Sequence, residues 1–298
     1  MDTLEDLNRK LDGAKDIKSI VEAMKAMAAS NISQYEAATA SLGDYYYTVT
    51  LGIKAYISAE HVETIIEKPE NKTGDHPPIC VIVFGSDLGL VGRFNDVISE
   101  FVLNSINGLP GEKEIWIIGE RVQAILKDSG FPDKKFYPVP SSMDDITPLV
   151  RSILIDIEKS RENSKMKEFY VFHNQPKSES AYEPVMQRLL PLDEQWMKNL
   201  ASIQWPSKNL PEITSDPGTT LSALINEYIF VSVYKACADS LAAENASRLE
   251  AMQRAETNIT NMLDSLGKKF QSLRQSLIDQ ELFDVVSGFE ALKDKSGR

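Results

Sequence analysis

A chain of 298 residues that is 42% hydrophobic and 26% charged has the composition of a globular protein with room for one or two cored domains, which excludes collagen-like and disordered classes. Its formal charge of -12, with no Lys/Arg cluster, excludes broad nucleic-acid binding, which needs a basic face. The longest apolar runs, such as Ile79 to Phe84 and Tyr228 to Val231, fall far short of the roughly 20 residues that cross a bilayer.

The chain begins Met1-Asp2-Thr3-Leu4-Glu5-Asp6, without the basic-then-apolar order of a secretory signal or the Arg-rich bias of a transit peptide, so a cytoplasmic location is expected. Leu4, Leu7, Leu11, Ala14, Val21, Met24 and Ala28 then recur near heptad spacing, with Lys18 interrupting the seam. Ala26, Ala28, Ala29, Ala37, Ala38 and Ala40 let a partner backbone come close. Residues 1–60 are therefore expected to form a coiled-coil helix. In the run Tyr45-Tyr46-Tyr47, three successive rings cannot all face one helix partner, so at least one meets another surface or water.

All fourteen prolines lie between Pro69 and Pro217. Proline breaks helix interiors, so long helices are permitted at both ends and not in the middle. Glu67 to Pro78 reads as an entry linker. Beyond it, Ile79–Phe84, Ile115–Ile118 and Phe169–Phe172 are short runs rich in β-branched and aromatic residues, the signature of strands covered on both faces. Helix candidates at Asn95–Ile106, Arg121–Lys127 and Ile146–Glu158 alternate with them. This alternation predicts a small Rossmann-like α/β domain with a mainly parallel sheet over residues 75–210.

Trp205 to Gly218, rich in proline and glycine, reads as the exit into a last helix over 219–292. There Ile259, Leu263, Leu266, Phe270, Leu273 and Leu277 follow steps of four, three, four, three and four, the 3.5-residue average of a supercoiled seam. Such a helix spans about 110 Å at 1.5 Å per residue and is expected to protrude. The fold class is thus α+β overall: a long antiparallel two-helix coiled coil from the two ends plus the α/β domain. Residues 1–57 and 219–298 each carry a net charge of -2, leaving -8 in the middle.

Few residues offer chemistry. Gly85-Ser86-Asp87-Leu88-Gly89-Leu90-Val91-Gly92 follows a strand and opens a helix, where α/β folds bind phosphates, yet it meets neither the dinucleotide nor the P-loop fingerprint. Asp87 is explained by a turn or helix-capping role. His61, His76 and His173 belong to no ligand pattern, and Ser86 sits in no nucleophile elbow. Cys80 and Cys237 read as packing residues, as do Met24 and Met27, and Asp144, Asp145, Asp156 and Glu158 as solvated acids. No catalytic residue, cofactor or metal is expected.

Three segments carry a resemblance. Ile20-Val21-Glu22-Ala23-Met24-Lys25-Ala26-Met27-Ala28-Ala29-Ser30, the turn Ser86-Asp87-Leu88-Gly89-Leu90-Val91-Gly92-Arg93-Phe94-Asn95, and Arg274-Gln275-Ser276-Leu277-Ile278-Asp279-Gln280-Glu281-Leu282 followed by Val285-Val286-Ser287-Gly288 resemble motifs of the gamma subunit of F-type ATP synthase. The resemblance implies a rotating, non-catalytic shaft. Its partners would be the catalytic and non-catalytic nucleotide-binding subunits of the hexamer, an epsilon-type stalk subunit and the membrane c-ring. It would be peripheral on the cytoplasmic face of the membrane. Arg274 and Gln275 match positions that hydrogen-bond catalytic-subunit loops, and Met24 and Lys25 match positions where the shaft meets lever segments. Asp279 stands at the family's hydroxyl position, turning one contact acidic. Leu88 and Glu22 replace an arginine and a lysine, and Asn31 another lysine, so this shaft is less basic than most. From the residues alone two other readings stay open: a nucleotide-binding α/β enzyme with an oligomerising coil, and a scaffolding coiled coil.

Overall fold

The computed structural model describes residues 3–60, 78–163, 166, 168–177, 182–192, 194–209, 212–213 and 216–296. His61, His76 and nearly all of the expected entry linker lie outside these residues. In chain order the elements are α1 (Leu4–Glu60), β1 (Ile79–Phe84), α2 (Phe94–Ile106), β2 (Lys113–Ile118), α3 (Glu120–Asp128), β3 (Lys135–Tyr137), α4 (Met143–Asn163), β4 (Glu168–Gln175), β5 (Glu183–Leu190), α5 (Glu194–Ser202) and α6 (Pro217–Ser296). The chain divides into two compact units, one of residues 1–27 with 250–298 and one of residues 28–249.

Local chemistry sets where the long helices begin. The Thr3 hydroxyl accepts from the Asp6 backbone N–H at 3.1 Å, while the Asp6 carboxylate accepts from Thr3 N at 3.3 Å and Thr3 Oγ1 at 2.8 Å. These bonds satisfy orphan donors and hold the Asp6 carboxyl below its usual range. At α6, Pro217 occupies the first position, where its missing N–H costs nothing, and Asp216 accepts from Thr219 N at 2.9 Å.

In the smaller unit the first helix segment buries Leu7, Ala14 and Val21, one residue per heptad. On α6, Ile259, Leu263, Leu266, Phe270 and Leu273 are half-buried. Lys25 Nζ meets Glu256 Oε2 at 2.5 Å across the pair. Lys18, at a seam position, is held near Glu22 at 4.0 Å on its own helix. Of the small residues expected to face the partner, Ala28 is buried and Ala38 half-buried, while Ala26, Ala29, Ala37 and Ala40 are exposed, so the alanines as a set do not line the seam.

In the larger unit a five-stranded sheet runs β3-β2-β1-β4-β5. The β1–β2, β1–β4 and β2–β3 pairs are parallel, and β4–β5 is antiparallel. The strand β1 is buried along its whole length because it lies at the centre. One face packs Cys80, Ile82, Trp116, Phe169 and Val171 against α1, α4, α5 and α6. The other packs Val81, Val83, Ile117 and Phe172 against Ile98, Val102 and Ile106 of α2 and Val122 and Leu126 of α3. This is a doubly wound arrangement. Both cysteines are buried and free.

Three elements escaped the sequence pattern. The strand β3 has three residues, and β5, Glu183-Pro184-Val185-Met186-Gln187-Arg188, is too polar for a covered strand because it is the sheet's edge. The helix α5 has nine residues. The helix α4 begins at Met143, ahead of the expected Ile146, because the Ser142 and Ser141 hydroxyls donate to Asp145 at 2.8 Å across its first turn.

Candidate partner-contact surface

Two places on the molecule bear the residues singled out in the sequence. The first is the α6 end. From Arg274 to Gly288 every residue is exposed, including Leu277, Ile278, Leu282, Phe283, Val285 and Val286, with Phe283 at 71% and Val285 at 72%. The cause is the register. With Lys25 opposite Glu256 in an antiparallel pair, the first residue of α1, Leu4, falls opposite about position 277. The free end accordingly begins after Leu273, because Phe270 and Leu273 are still half-buried. Leu277, last of the expected seam, is 40% exposed.

Arg274, Gln275 and Asp279 sit on this exposed stretch, Gln275 and Asp279 one turn apart on the same face. They are interleaved with apolar side chains that circle the helix. A helix apolar on several sides cannot be a solvated surface helix, and contiguous exposed apolar area marks an interaction site. The sequence motif points to the polar residues as contacts and leaves the role of the apolar ones between them unassigned. The signal that finds them is Ile278, Leu282, Phe283, Val285 and Val286 falling outside the 3.5-residue seam.

The second place is Met24 and Lys25, about 27 Å along α6 from Arg274, taking 1.5 Å for each residue between Glu256 and Arg274. Both are half-buried. The ammonium of Lys25 is turned into the helix pair by Glu256, a partner that local spacing could not reveal. The adjacent outer face of α1 exposes Ile17, Ile20 and Met27 at 55%, 60% and 66%. The structure thus keeps Met24 and Lys25 in one zone and Arg274, Gln275 and Asp279 in another.

The Ser86–Arg93 turn, the one segment with a phosphate-binding position, is filled by its own side chains. The Asp87 carboxylate accepts from the Glu120 N–H at 2.9 Å, at the start of α3, and from Val139 N at 2.9 Å. An oxyanion would seek that helix start, and Asp87 already supplies one. Ser86 N donates to Asn95 Oδ1 at 3.0 Å, and Asn95 Nδ2 donates to Ser86 Oγ at 2.8 Å. Gly119, at φ 113°, lies so close that a Cβ there would stand 2.8 Å from Ser86 N. Asp87 therefore has the turn-forming role that its sequence context predicts.

His173, on β4, is buried, and loss of hydration lowers its pKa to about 3, with Lys235 adding to the effect. Asp239 lies 3.8 Å away but is already engaged by Lys235 at 2.6 Å. A cavity of about 370 Å³ adjoins these groups, walled by Tyr46, Trp196 and Tyr228. Tyr46 packs on Tyr228 at 5.8 Å, while Tyr45 and Tyr47 are exposed and Tyr45 donates to Glu227 at 2.6 Å. The three rings face different surroundings, as three successive helix positions must.

A family model described as ATP synthase matches residues 3–292. The ATP synthase gamma chain of Brevibacillus brevis is 28% identical over 302 residues, covering 97% of this chain and 98% of its own length. The gamma chain of a Sulfurihydrogenibium species is 27% identical over 295 residues, with 97% and 98% covered. Among solved structures the chain is similar in fold to one from the Euglena gracilis mitochondrial ATP synthase rotor, with a TM-score of 0.59, 14% identity, and 92% and 98% of the two chains covered. It is also similar to one from the central stalk and c-ring of the Tetrahymena thermophila mitochondrial ATP synthase, with a TM-score of 0.57, 21% identity, and 79% and 99% covered.

Proposed function

Because the chain belongs to the ATP synthase family, as its gamma chains do, we propose that it is the central-stalk rotor of an F-type ATP synthase, coupling ion translocation to ATP synthesis or hydrolysis. The observation that carries this reading is the α6 end, a helix that leaves its partner after Leu273 and exposes apolar side chains around its circumference. In water alone such a surface is a liability; inside a bearing of other subunits it is a contact. A rotor drives a neighbour only as far as its contact energy differs between that neighbour's states. The free end supplies unequal faces, with Arg274, Gln275 and Asp279 offering hydrogen bonds and Ile278, Leu282 and Phe283 offering area.

In this reading the shaft comprises residues 1–60 and 219–292 and the base residues 75–210. The partners are the nucleotide-binding subunits of the hexamer around the shaft, with an epsilon-type stalk subunit and the membrane c-ring at the base. The chain itself performs no catalysis and sits peripherally at the cytoplasmic face. No helix among the described residues is long and apolar enough to cross a membrane. The Asp87 carboxylate is engaged by the Glu120 and Val139 backbone N–H groups, a turn-holding role that favours a shaft over a nucleotide-binding enzyme.

The test is co-assembly. The tagged chain, purified from its own cells, is expected to bring down the hexamer's nucleotide-binding subunits, and the chain ending at Leu273 to lose most of them while remaining folded. Full retention by the shortened chain would remove the α6 end from the interface.

A further inference from the structure

The rotor reading leaves the Ser86–Arg93 turn without a task, although much of its hydrogen bonding is spent on holding one conformation. That conformation points at α6. Leu90, at φ 63°, and Gly92, at φ 55°, both take the left-handed region, which turns Val91 inward while Leu88 and Leu90 face out at 70% and 62% exposure. Val91 and Phe94 close over Ala243 in a small buried cluster. The Val91 carbonyl accepts from Ser247 Oγ on α6 at 2.6 Å, in a buried position. The next residue of the cluster, Phe94, accepts through its carbonyl from Asn174 Nδ2 on β4 at 3.1 Å.

The stretch of α6 beneath is unlike the rest of that helix. Every residue from Ala236 to Asn245 is buried, so α6 is enclosed on all sides for nearly three turns. Its side chains are small where the enclosure is tight: Ala236, Cys237, Ala238, Ser240, Ala242 and Ala243. On other sides Asn245 accepts from Asn31 of α1 at 3.3 Å, and Glu244, whose carboxyl burial raises, is held by Arg248 at 2.6 Å.

We propose that the β1–α2 turn is a clasp through which the α/β domain is locked against rotation about α6, with Ser247 as its key. The proposal rests on the rotor reading, since only a rotor loads this junction with torque. A smooth apolar sleeve would resist bending but not twisting, because dispersion contacts carry little directionality. A buried hydroxyl donating to a fixed carbonyl resists twisting, since rotation of the helix breaks the bond and strands both groups. Asp87, bonded to Glu120 and Val139, and Asn95, bonded to Ser86, fasten the turn that grips the helix.

The test uses the assembled complex in sealed vesicles, comparing wild type with Ser247→Ala, Ser247→Thr and Gly92→Ala. Hydrolysis is measured without an ion gradient, ions pumped per ATP against an opposing gradient, and amide exchange across the chain. In Ser247→Ala the amides of Val91 to Asn95 are expected to exchange about fivefold faster, the scale of one lost hydrogen bond. Gradient-free hydrolysis is expected to hold while pumping per ATP against the gradient falls. Gly92→Ala, which disturbs the turn from its other side, is expected to do the same, and Ser247→Thr, which keeps the hydroxyl, to pump as wild type does. Pumping per ATP equal to wild type in both loosened variants, or a loss that follows exchange rising across the whole domain, overturns the clasp. A wild-type complex that does not pump at all overturns the rotor reading instead.

Discussion

At Arg274 and Gln275 the side chains are exposed and add nothing to the chain's own core. Replacing both with alanine should therefore leave the isolated chain's stability within about 0.5 kcal/mol of wild type, the usual range for surface changes. ATPase turnover of the assembled complex should fall. Calorimetry of the free chain and a turnover assay of the complex separate the two effects, and unchanged turnover would take both residues off the contact surface. His173 makes the opposite kind of prediction. Its folded pKa is depressed to about 3 from an unfolded value near 6.5, so the unfolded chain binds the extra proton between those values. Stability should therefore fall as pH drops below about 6.5, and His173→Gln should flatten that slope in denaturant titrations at pH 7 and pH 5. The residue types were readable in the sequence in both cases, but their settings were not. Nothing in the order of residues around Lys25 points to Glu256, 231 positions away, and nothing around His173 tells that it is buried beside Asp239.

At the scale of elements the seam between α1 and α6 carries the next two expectations. Leu7 is 3% exposed within it, and Leu7→Ala should destabilise this helix pair by about 2–3 kcal/mol through lost burial and the cavity left behind. Increased amide exchange confined to the helix ends would report it. Lys25→Glu should weaken the pair and Glu256→Lys should restore it, with a coupling of about 0.5–1 kcal/mol in a double-mutant cycle, as suits a half-exposed ion pair. The elements themselves were legible where one period dominates. The proline-free ends, the leucine steps from Ile259 to Leu273 and the apolar runs of β1, β2 and β4 all gave the right type, because heptad burial and two-faced burial each leave a pattern. Where burial is partial the pattern fades. The strand β5 is an edge with polar positions, β3 is three residues long, and α4 hides its start among Pro138, Pro140 and two serines. The turn at Ser86–Arg93 was visible as a motif, while its hold on Ser247 depends on a contact 156 positions away.

At the scale of the whole molecule, the proposed role is that of a part that carries motion between its neighbours. Its terminal helices and its sheet were both foreseeable, yet the proposed contact surface is defined by what it lacks. After Leu273 the sequence continues as helix, but its apolar residues leave the seam's period and, from Arg274 to Gly288, stand exposed. The acidic Asp279 makes a further demand on whatever receives it, since a carboxylate on a contact surface needs a donor or a cation opposite. The two native cysteines are buried, with thiols that burial pushes well above their usual range, so a cysteine placed at exposed Lys127 would be the reactive one. A bead attached there, on a complex anchored through its hexamer, reads rotation directly. On adding ATP the bead should turn in one direction, in discrete steps, and stop when ATP is withdrawn. A bead that only fluctuates about one angle, in a complex that is hydrolysing ATP, would contradict it.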